Sequence, residues 1–134
     1  MAELFYMNDI FDKIIAKEIP AQCIYEDEIC IVVMDKFPCV QGQVLIISKK
    51  CTDYIFNLDD QTYSHLFNVT KKIATALDTT YSTLRTCVVV EGFEVPHVHI
   101  KLYPLTGAHL DIHGGKEASD EVLQAEATKI KSFL

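Results

Sequence analysis

The stretch VPHVHIKLYP, residues 95–104, alternates strictly between polar and apolar side chains. Successive side chains of a β-strand point to opposite faces, so this pattern predicts a strand with His97, His99 and Lys101 on one face. Two imidazoles beside an ammonium suit an anion, in particular a phosphate, because an imidazole attacks phosphorus and a neighbouring cation neutralises the developing charge. Two other interpretations of the strand stay open: incidental polar residues on an exposed edge, and a pair of metal-binding histidines.

The composition limits the class of protein. The chain has 134 residues, of which 49% are hydrophobic and 23% charged, as is typical of one soluble globular domain. Its formal net charge of −7 argues against a nucleic acid duplex as partner, since such a binder needs a basic face. A pocket for a single nucleotide is compatible with that charge.

Targeting features and the number and spacing of the cysteines predict the cellular compartment of the protein. No apolar run approaches the roughly 20 residues of a membrane helix, and the first residues lack the features of a signal peptide. The five cysteines are odd in number, with none in C-x-x-C spacing, which indicates reduced thiols. We therefore predict a cytoplasmic protein, with the nucleus as a further compartment and no membrane partner.

Periodicity along the chain predicts an α+β fold, an antiparallel sheet of about five strands with a long flanking helix and short N- and C-terminal helices. The first helix is expected to begin near Asn8 or Asp9 and to end before Pro20. Strands are expected at 22–26, 29–34, 43–48, 86–91 and 97–103, followed by a loop from Pro104 to Gly115. The long helix should follow Asp59 or Asp60, and the last helix should start at Ser119. The apolar stripe predicted on the long helix consists of Tyr63, Leu66, Phe67, Thr70, Ile73, Ala74 and Leu77, and His65 lies off it, in a position typical of a solvated residue.

These blocks resemble the histidine triad (HIT) family, in its small nucleotide-binding and hydrolase branch. The family signature, three histidines alternating with apolar residues, is similar to HVHIKLY at 97–103. The resemblance extends over about residues 8–104 and includes IFDKII at 10–15, YED at 25–27, MD at 34–35 and GQVLIISKKC at 42–51. It implies a single HIT domain over 1–134, with 105–134 forming a loop and the C-terminal helix.

Several positions depart from the family pattern. The third triad position is Lys101, and the usual His and Pro of the middle strand are Gln43 and Ser48. Cys51 stands where many members have a histidine after the Lys-Lys pair. A short loop at 92–96 replaces the Gly-Gln-Ser/Thr loop, which resembles the compact-loop members and leaves the leaving-group step without its usual donor.

The resemblance implies a nucleotide hydrolase or transferase that acts at the α-phosphate of a nucleoside phosphoramidate or a dinucleoside polyphosphate. His99 would be the nucleophile and form a nucleotidyl-histidine, His97 would bond within the strand or bind metal, and Lys101 would hold the phosphate as a point charge. No cofactor is required for this chemistry. The alternative is a non-catalytic nucleotide-binding module.

The partner implied is a purine nucleotide or nucleotide conjugate. Asp35 matches the carboxylate that accepts the ribose hydroxyls, and its chemistry suits a cis-diol. Gln43 joins the nucleotide-binding set, and the base pocket would be lined by Ile10, Phe11, Ile14 and Leu45. Ordinary core packing is the alternative interpretation of these four apolar residues.

Two further expectations follow from the resemblance. Some members carry a structural zinc, and its ligand positions fall on Asp9, Asp12, Cys51 and His97, all of which can bind zinc. The two carboxylates also suit a helix N-terminus without any metal. Members of this size usually form homodimers through the long helix and a sheet edge, and the apolar stripe on the long helix exceeds what one small sheet requires.

Overall fold

The structure, a computed structural model, describes residues 9–134. Its five strands form one antiparallel sheet, as the sequence predicts. The order of the strands in the sheet is β1-β2-β3-β5-β4. In chain order the elements are α1 (Ile10–Ile15), β1 (Cys23–Glu26), β2 (Cys30–Met34), β3 (Val44–Ser48), a short 3-10 helix (Ile55–Asn57), α2 (Asp60–Tyr81), β4 (Arg85–Val89), β5 (His99–Leu105) and α3 (Asp120–Lys131).

The sheet has a core on each face because its strands alternate. On one face, apolar residues of β2, β3 and β5 pack against α2 and α3. On the other face a smaller cluster packs under α1 and consists of Phe11, Ile14, Ile31, Val33, Leu45 and Ile47. Val98, Ile100 and Leu102 belong to the first core, so His99 and Lys101 face the α1 side.

Helix α1 begins where the sequence predicts but ends earlier. Asp9 caps it, with a side-chain oxygen that accepts a hydrogen bond from the Asp12 backbone N–H at 2.8 Å. The other expected cap, Asn8, lies outside the described residues. The helix stops at Ile15 because Lys17 adopts a left-handed backbone conformation (φ 63°), several residues before Pro20.

Strand β5 differs from its predicted range. It runs to Leu105 and includes Pro104, which we expected to open a loop, and His97 precedes its first paired residue. The ladder with β3 ends at Leu102, so Pro104 is paired with β4 alone, opposite Thr86. A proline is tolerated in a strand where its missing N–H is not needed by a second neighbour.

Helix α2 begins after Asp59, whose side chain caps it by accepting from the Thr62 N–H. Its buried stripe includes the predicted Leu66, Thr70, Ile73 and Leu77, but also Val69 and Ala76, while Tyr63, Phe67 and Ala74 are only partly buried. The stripe is rotated because α3 packs against α2 as well as against the sheet. Helix α3 follows its cap Ser119 as predicted, and it contributes the buried residues Leu123, Ala127 and Ile130.

Over residues 9–134, every helix is too short or too polar to cross a bilayer. In the same part of the chain, none of the five cysteines takes part in a disulfide.

Candidate functional site

The structure brings the predicted nucleophile into a buried position on the α1 face. The side chain of His99 is 3% exposed, and the ring of Phe11 meets it edge-on with ring centroids 4.6 Å apart. Its Nδ1 lies 2.7 Å from the carbonyl oxygen of His97. Because a carbonyl only accepts, Nδ1 carries the proton and Nε2 keeps its lone pair.

Burial tunes the charge state of His99. Desolvation lowers its pKa, and the hydrogen bond to the His97 carbonyl opposes this effect without cancelling it. The Lys101 ammonium lowers the pKa of His99 further. A neutral imidazole with a lone pair on Nε2 is the form that attacks an electrophile.

His97 occupies a different environment, although it is only two residues away. It is fully buried, its Nε2 lies 2.6 Å from the Ser48 carbonyl oxygen, and its Nδ1 lies 3.0 Å from Asp9 Oδ2. Asp12 Oδ1 is 3.7 Å from the same Nδ1. Both ring nitrogens are thus occupied by oxygen acceptors, and His97 joins β5, β3 and α1.

The four predicted metal ligands meet in one place. One ligand atom each from Asp9, Asp12, Cys51 and His97 lies within 4.8 Å of all the others. The Cys51 thiol faces Asp12 Oδ2 at 3.9 Å. Burial and the neighbouring Asp9 charge raise the pKa of Asp12, so ionising the Asp12 carboxyl within this cluster costs free energy.

Lys101, the residue at the third triad position, lies beside a carboxylate that we did not expect from the sequence. Lys101 Nζ lies 3.6 Å from Glu91 Oε1, with side-chain exposures of 17% and 23%. Glu91 follows β4, which pairs with β5 so that Val89 lies opposite Lys101. No residue pattern marks Glu91. Only its position in the turn before the triad strand could have indicated that it lies near the site.

Asp35 and Gln43 form one hydrogen-bonded unit. Gln43 is 2% exposed, and its Nε2 donates to Asp35 Oδ2 at 2.7 Å while its Oε1 accepts from the Cys39 N–H. The Phe37 N–H donates to Asp35 Oδ1. Gln43 therefore orients Asp35, and the carboxylate is held at the end of β2.

The four predicted base-lining residues separate into two groups. Phe11, Ile14 and Leu45 lie in the cluster under α1, whereas Ile10 is 50% exposed on the outer side of the helix. Ile14 also lines a cavity of about 160 Å³ together with Ile19, Cys23, Ile31 and Val33. The resemblance to the family implied that Ile10 lines the base pocket with Phe11, but Ile10 points away from the cluster on the short α1.

A second cavity, of about 120 Å³, adjoins His99 and is lined in part by Tyr54, Phe56, Phe67 and Glu91. We did not expect this cavity from the sequence. Its one visible signal was the presence of large aromatic residues in the otherwise polar stretch after β3.

His65 is the other departure from expectation. It was predicted to be solvated, but its Nε2 lies 2.6 Å from Asp27 Oδ2, and the side chain is 37% exposed. Asp27 also accepts hydrogen bonds from the Tyr25 hydroxyl and the backbone N–H groups of Ile29 and Cys30. Burial raises the pKa of Asp27, yet these hydrogen bonds outweigh it and hold the pKa well below its usual range.

The profile of the HIT domain matches residues 16–108, and the chain therefore belongs to the HIT domain family. An uncharacterised HIT-like protein of Borreliella burgdorferi is 32% identical over 102 residues, which cover 71% of this chain and 73% of that protein. A HIT-like protein of Bartonella henselae, described as involved in cell-cycle regulation, superimposes with a TM-score of 0.86 at 28% identity, covering 96% of this chain and 97% of that one. A zinc-bound histidine triad family protein of Mycobacterium smegmatis superimposes with a TM-score of 0.81 at 21% identity, covering 96% and 94%.

Proposed function

We propose that this protein is a nucleotide hydrolase or transferase that acts at the α-phosphate of a nucleotide conjugate through a nucleotidyl-His99 intermediate. The observation that carries the proposal is the state of His99: it is buried, neutral, and fixed by an Nδ1–H bond to the His97 carbonyl. That bond leaves Nε2 as the nucleophilic atom. It also stabilises the positive charge that the ring acquires when Nε2 bonds to phosphorus.

The reaction takes place in two displacements. In the first, Nε2 bonds to the α-phosphorus, the bond to the leaving group breaks, and the leaving group keeps the electron pair; a nitrogen leaving group also takes a proton from water. In the second, a water oxygen bonds to phosphorus, the P–N bond breaks, Nε2 regains its lone pair, and a proton passes to solvent. The products are a nucleoside monophosphate and the free leaving group. Lys101 lies on the same face of β5 as His99, two positions along the strand, and its ammonium would favour the negative charge on the phosphate.

Asp35 would receive the ribose. Its two oxygens already accept from Gln43 and from the Phe37 N–H, which fixes the carboxylate while its remaining lone pairs stay available. The cavity lined by Ile14 and Val33 adjoins β2, the strand that Asp35 follows, and would offer apolar walls to a purine.

The alternative is a non-catalytic nucleotide-binding module. One observation favours it: the third triad position holds the ammonium of Lys101 where the family has an imidazole. Incubation with adenosine 5′-phosphoramidate separates the two candidates. The hydrolase releases AMP and His99→Ala does not, whereas the binding module binds AMP without turnover in either form.

We also propose a structural zinc at the Asp9, Asp12, Cys51 and His97 cluster. The donor set fits, because the Nε2–H of His97 donates to the Ser48 carbonyl oxygen and Nδ1 faces both carboxylates. Zinc bound there would tie α1 to the triad strand, and the proposed catalysis takes no step through it. Carboxylates bind zinc less tightly than thiolates do, so occupancy would depend on pH.

The zinc proposal is tested by elemental analysis of protein purified without chelator or a metal column. Near-stoichiometric zinc, lost in Cys51→Ser and kept in the control Cys87→Ser, is expected. Less than about a tenth of an equivalent, with no thermal shift on adding zinc, contradicts it.

We further propose a homodimer. Leu66, Ile73 and Leu77, which we expected to contribute to it, lie in the protomer's own core, so the support comes from other residues. Strand β4 is an edge of the sheet; Val88 within it is 47% exposed, and Leu84, the residue before it, is 66% exposed. Light scattering at micromolar concentration should return twice the monomer mass, and Val88→Lys should reduce it to the monomer mass; a monomeric wild type contradicts the proposal.

A further inference from the structure

The cavity beside His99 has a distinctive charge. Among the described residues that line it are two carboxylates, Asp53 and Glu91, and neither lysine nor arginine. The chain as a whole is also acidic, with a formal net charge of −7. A group that enters this cavity therefore meets two carboxylates beside the nucleophile.

The charge of Glu91 is only loosely compensated. Its Oε1 is buried and accepts no hydrogen bond within residues 9–134, and Lys101 Nζ at 3.6 Å is beyond ordinary hydrogen-bond distance. A carboxylate that is partly removed from water and has few donors attracts a cation more strongly than a fully solvated one does.

Aromatic rings supply the rest of the wall. Tyr54 and Phe56 meet edge to face at 5.3 Å, and Tyr63 links Phe56 to Phe67 through ring contacts at 6.2 and 5.0 Å. Tyr54 and Phe56 are both more than half exposed and stand beside the cavity. Ring faces attract organic cations and pack against apolar groups, so the carboxylates and the aromatic rings of the wall both favour an organic cation.

The order of the strands shows which part of the substrate this cavity would receive. Asp35 directly follows β2, and the cavity lined by Ile14 lies against β1 and β2, on one side of β5 in the strand order. Glu91 follows β4, on the other side of β5. With the nucleoside toward β2 and the α-phosphate at His99, the leaving group extends toward β4 and this cavity.

We propose that this cavity is the leaving-group subsite and that Glu91 makes it select an organic cation, such as an amine-bearing group joined to the α-phosphate, against an anionic leaving group. The proposal rests on the function proposed above and narrows its substrate class. A second nucleoside phosphate, the leaving group of a dinucleoside polyphosphate, would bring its negative charge against Glu91 and Asp53.

The test uses three adenosine 5′-phosphoramidates of alkyl amines of equal length that end in an ammonium, a methyl or a carboxylate group. We expect kcat/KM to fall in that order, by about fivefold to tenfold at each step, which is the size of one charge contact at a partly exposed site. Glu91→Gln should remove most of the difference between the charged conjugates. The matched control is Glu94→Gln, on the same loop but exposed and outside the cavity wall, and it should keep the wild-type order.

Equal rates for the cationic and anionic conjugates, or an unchanged order of rates in Glu91→Gln, would contradict the proposed subsite but not the proposed hydrolase activity. If the wild type turns over none of the three, the proposed hydrolase fails and the subsite is judged by calorimetric affinities for the same conjugates. The same order of Kd, lost in Glu91→Gln, then supports the subsite, and equal affinities overturn it.

Discussion

His97 and His99 lie two residues apart on one face of the sheet, both almost fully buried, yet their surroundings differ in kind. Both ring nitrogens of His97 face oxygen acceptors, the Ser48 carbonyl and the Asp9 carboxylate. His99 uses only Nδ1, on the His97 carbonyl, and its Nε2 has no hydrogen-bond partner in the described part of the chain. Burial alone therefore does not distinguish the two histidines; they differ in whether a lone pair remains after the structural hydrogen bonds are made.

The largest effect should come from removing that lone pair. His99→Ala is expected to lower AMP release from adenosine 5′-phosphoramidate by at least about a thousandfold, because the covalent route is lost. His65→Asn, which alters a histidine on the opposite side of the sheet, is the matched control and should keep the wild-type rate. A His99→Ala rate within tenfold of the wild-type rate would contradict the proposed difference in role between His99 and His97.

His97→Ala should mainly reduce stability. It leaves Asp9 and Asp12 without their buried partner, and we expect the free energy of unfolding to fall by about 3 kcal/mol in urea denaturation of the metal-free protein. A loss below about 1 kcal/mol would show that the hydrogen bonds of His97 contribute little to the fold.

Asp27, the partner of His65, should stabilise the fold by an amount that depends on pH. Its folded-state pKa is lowered, so its contribution is present above the ordinary carboxyl pKa of 3.8 and is lost as the pH falls below that value. Asp27→Asn should therefore cost about 2 kcal/mol in the free energy of unfolding at pH 7 and less at pH 3. A cost that is equal at both pH values would mean that the charge of Asp27 is not what stabilises the turn.

Lys101 should have the smallest effect. Lys101→Ala is expected to weaken AMP binding about tenfold in calorimetry, because one partly exposed charge contact to phosphate is lost. Lys101→His restores a third imidazole and should raise the turnover rate. If Lys101→Ala binds AMP as tightly as wild type, Lys101 does not contact the phosphate.

The triad strand and the sheet could be predicted because their signal is local. The alternation at residues 97–102 determines which side chains meet the core, and Asp9, Asp59 and Ser119 mark helix starts by side-chain hydrogen bonds to residues three positions away. The cluster of Asp9, Asp12, Cys51 and His97 was expected from the resemblance to the family, and the structure brings the four residues together.

The features that were missed depend on distant pairings. Glu91 reaches Lys101 because β4 and β5 pair, and His65 reaches Asp27 across 38 positions of sequence, so neither contact leaves a periodic pattern. Ile10 was placed at the base pocket by the resemblance to the family, but its orientation depends on how the short α1 packs on the sheet. The extra buried residues of α2, Val69 and Ala76, reflect α3 packing that no single helix pattern contains.

The central claim is that His99, and not His97, forms the covalent intermediate. The most direct measurement is peptide mapping by mass spectrometry after wild-type protein is quenched during turnover of adenosine 5′-phosphoramidate. We predict an adenylyl group on the imidazole of His99, absent from the same peptide of His99→Ala. An adenylyl group on His97 or on any other residue, or unmodified protein throughout turnover, would contradict the account.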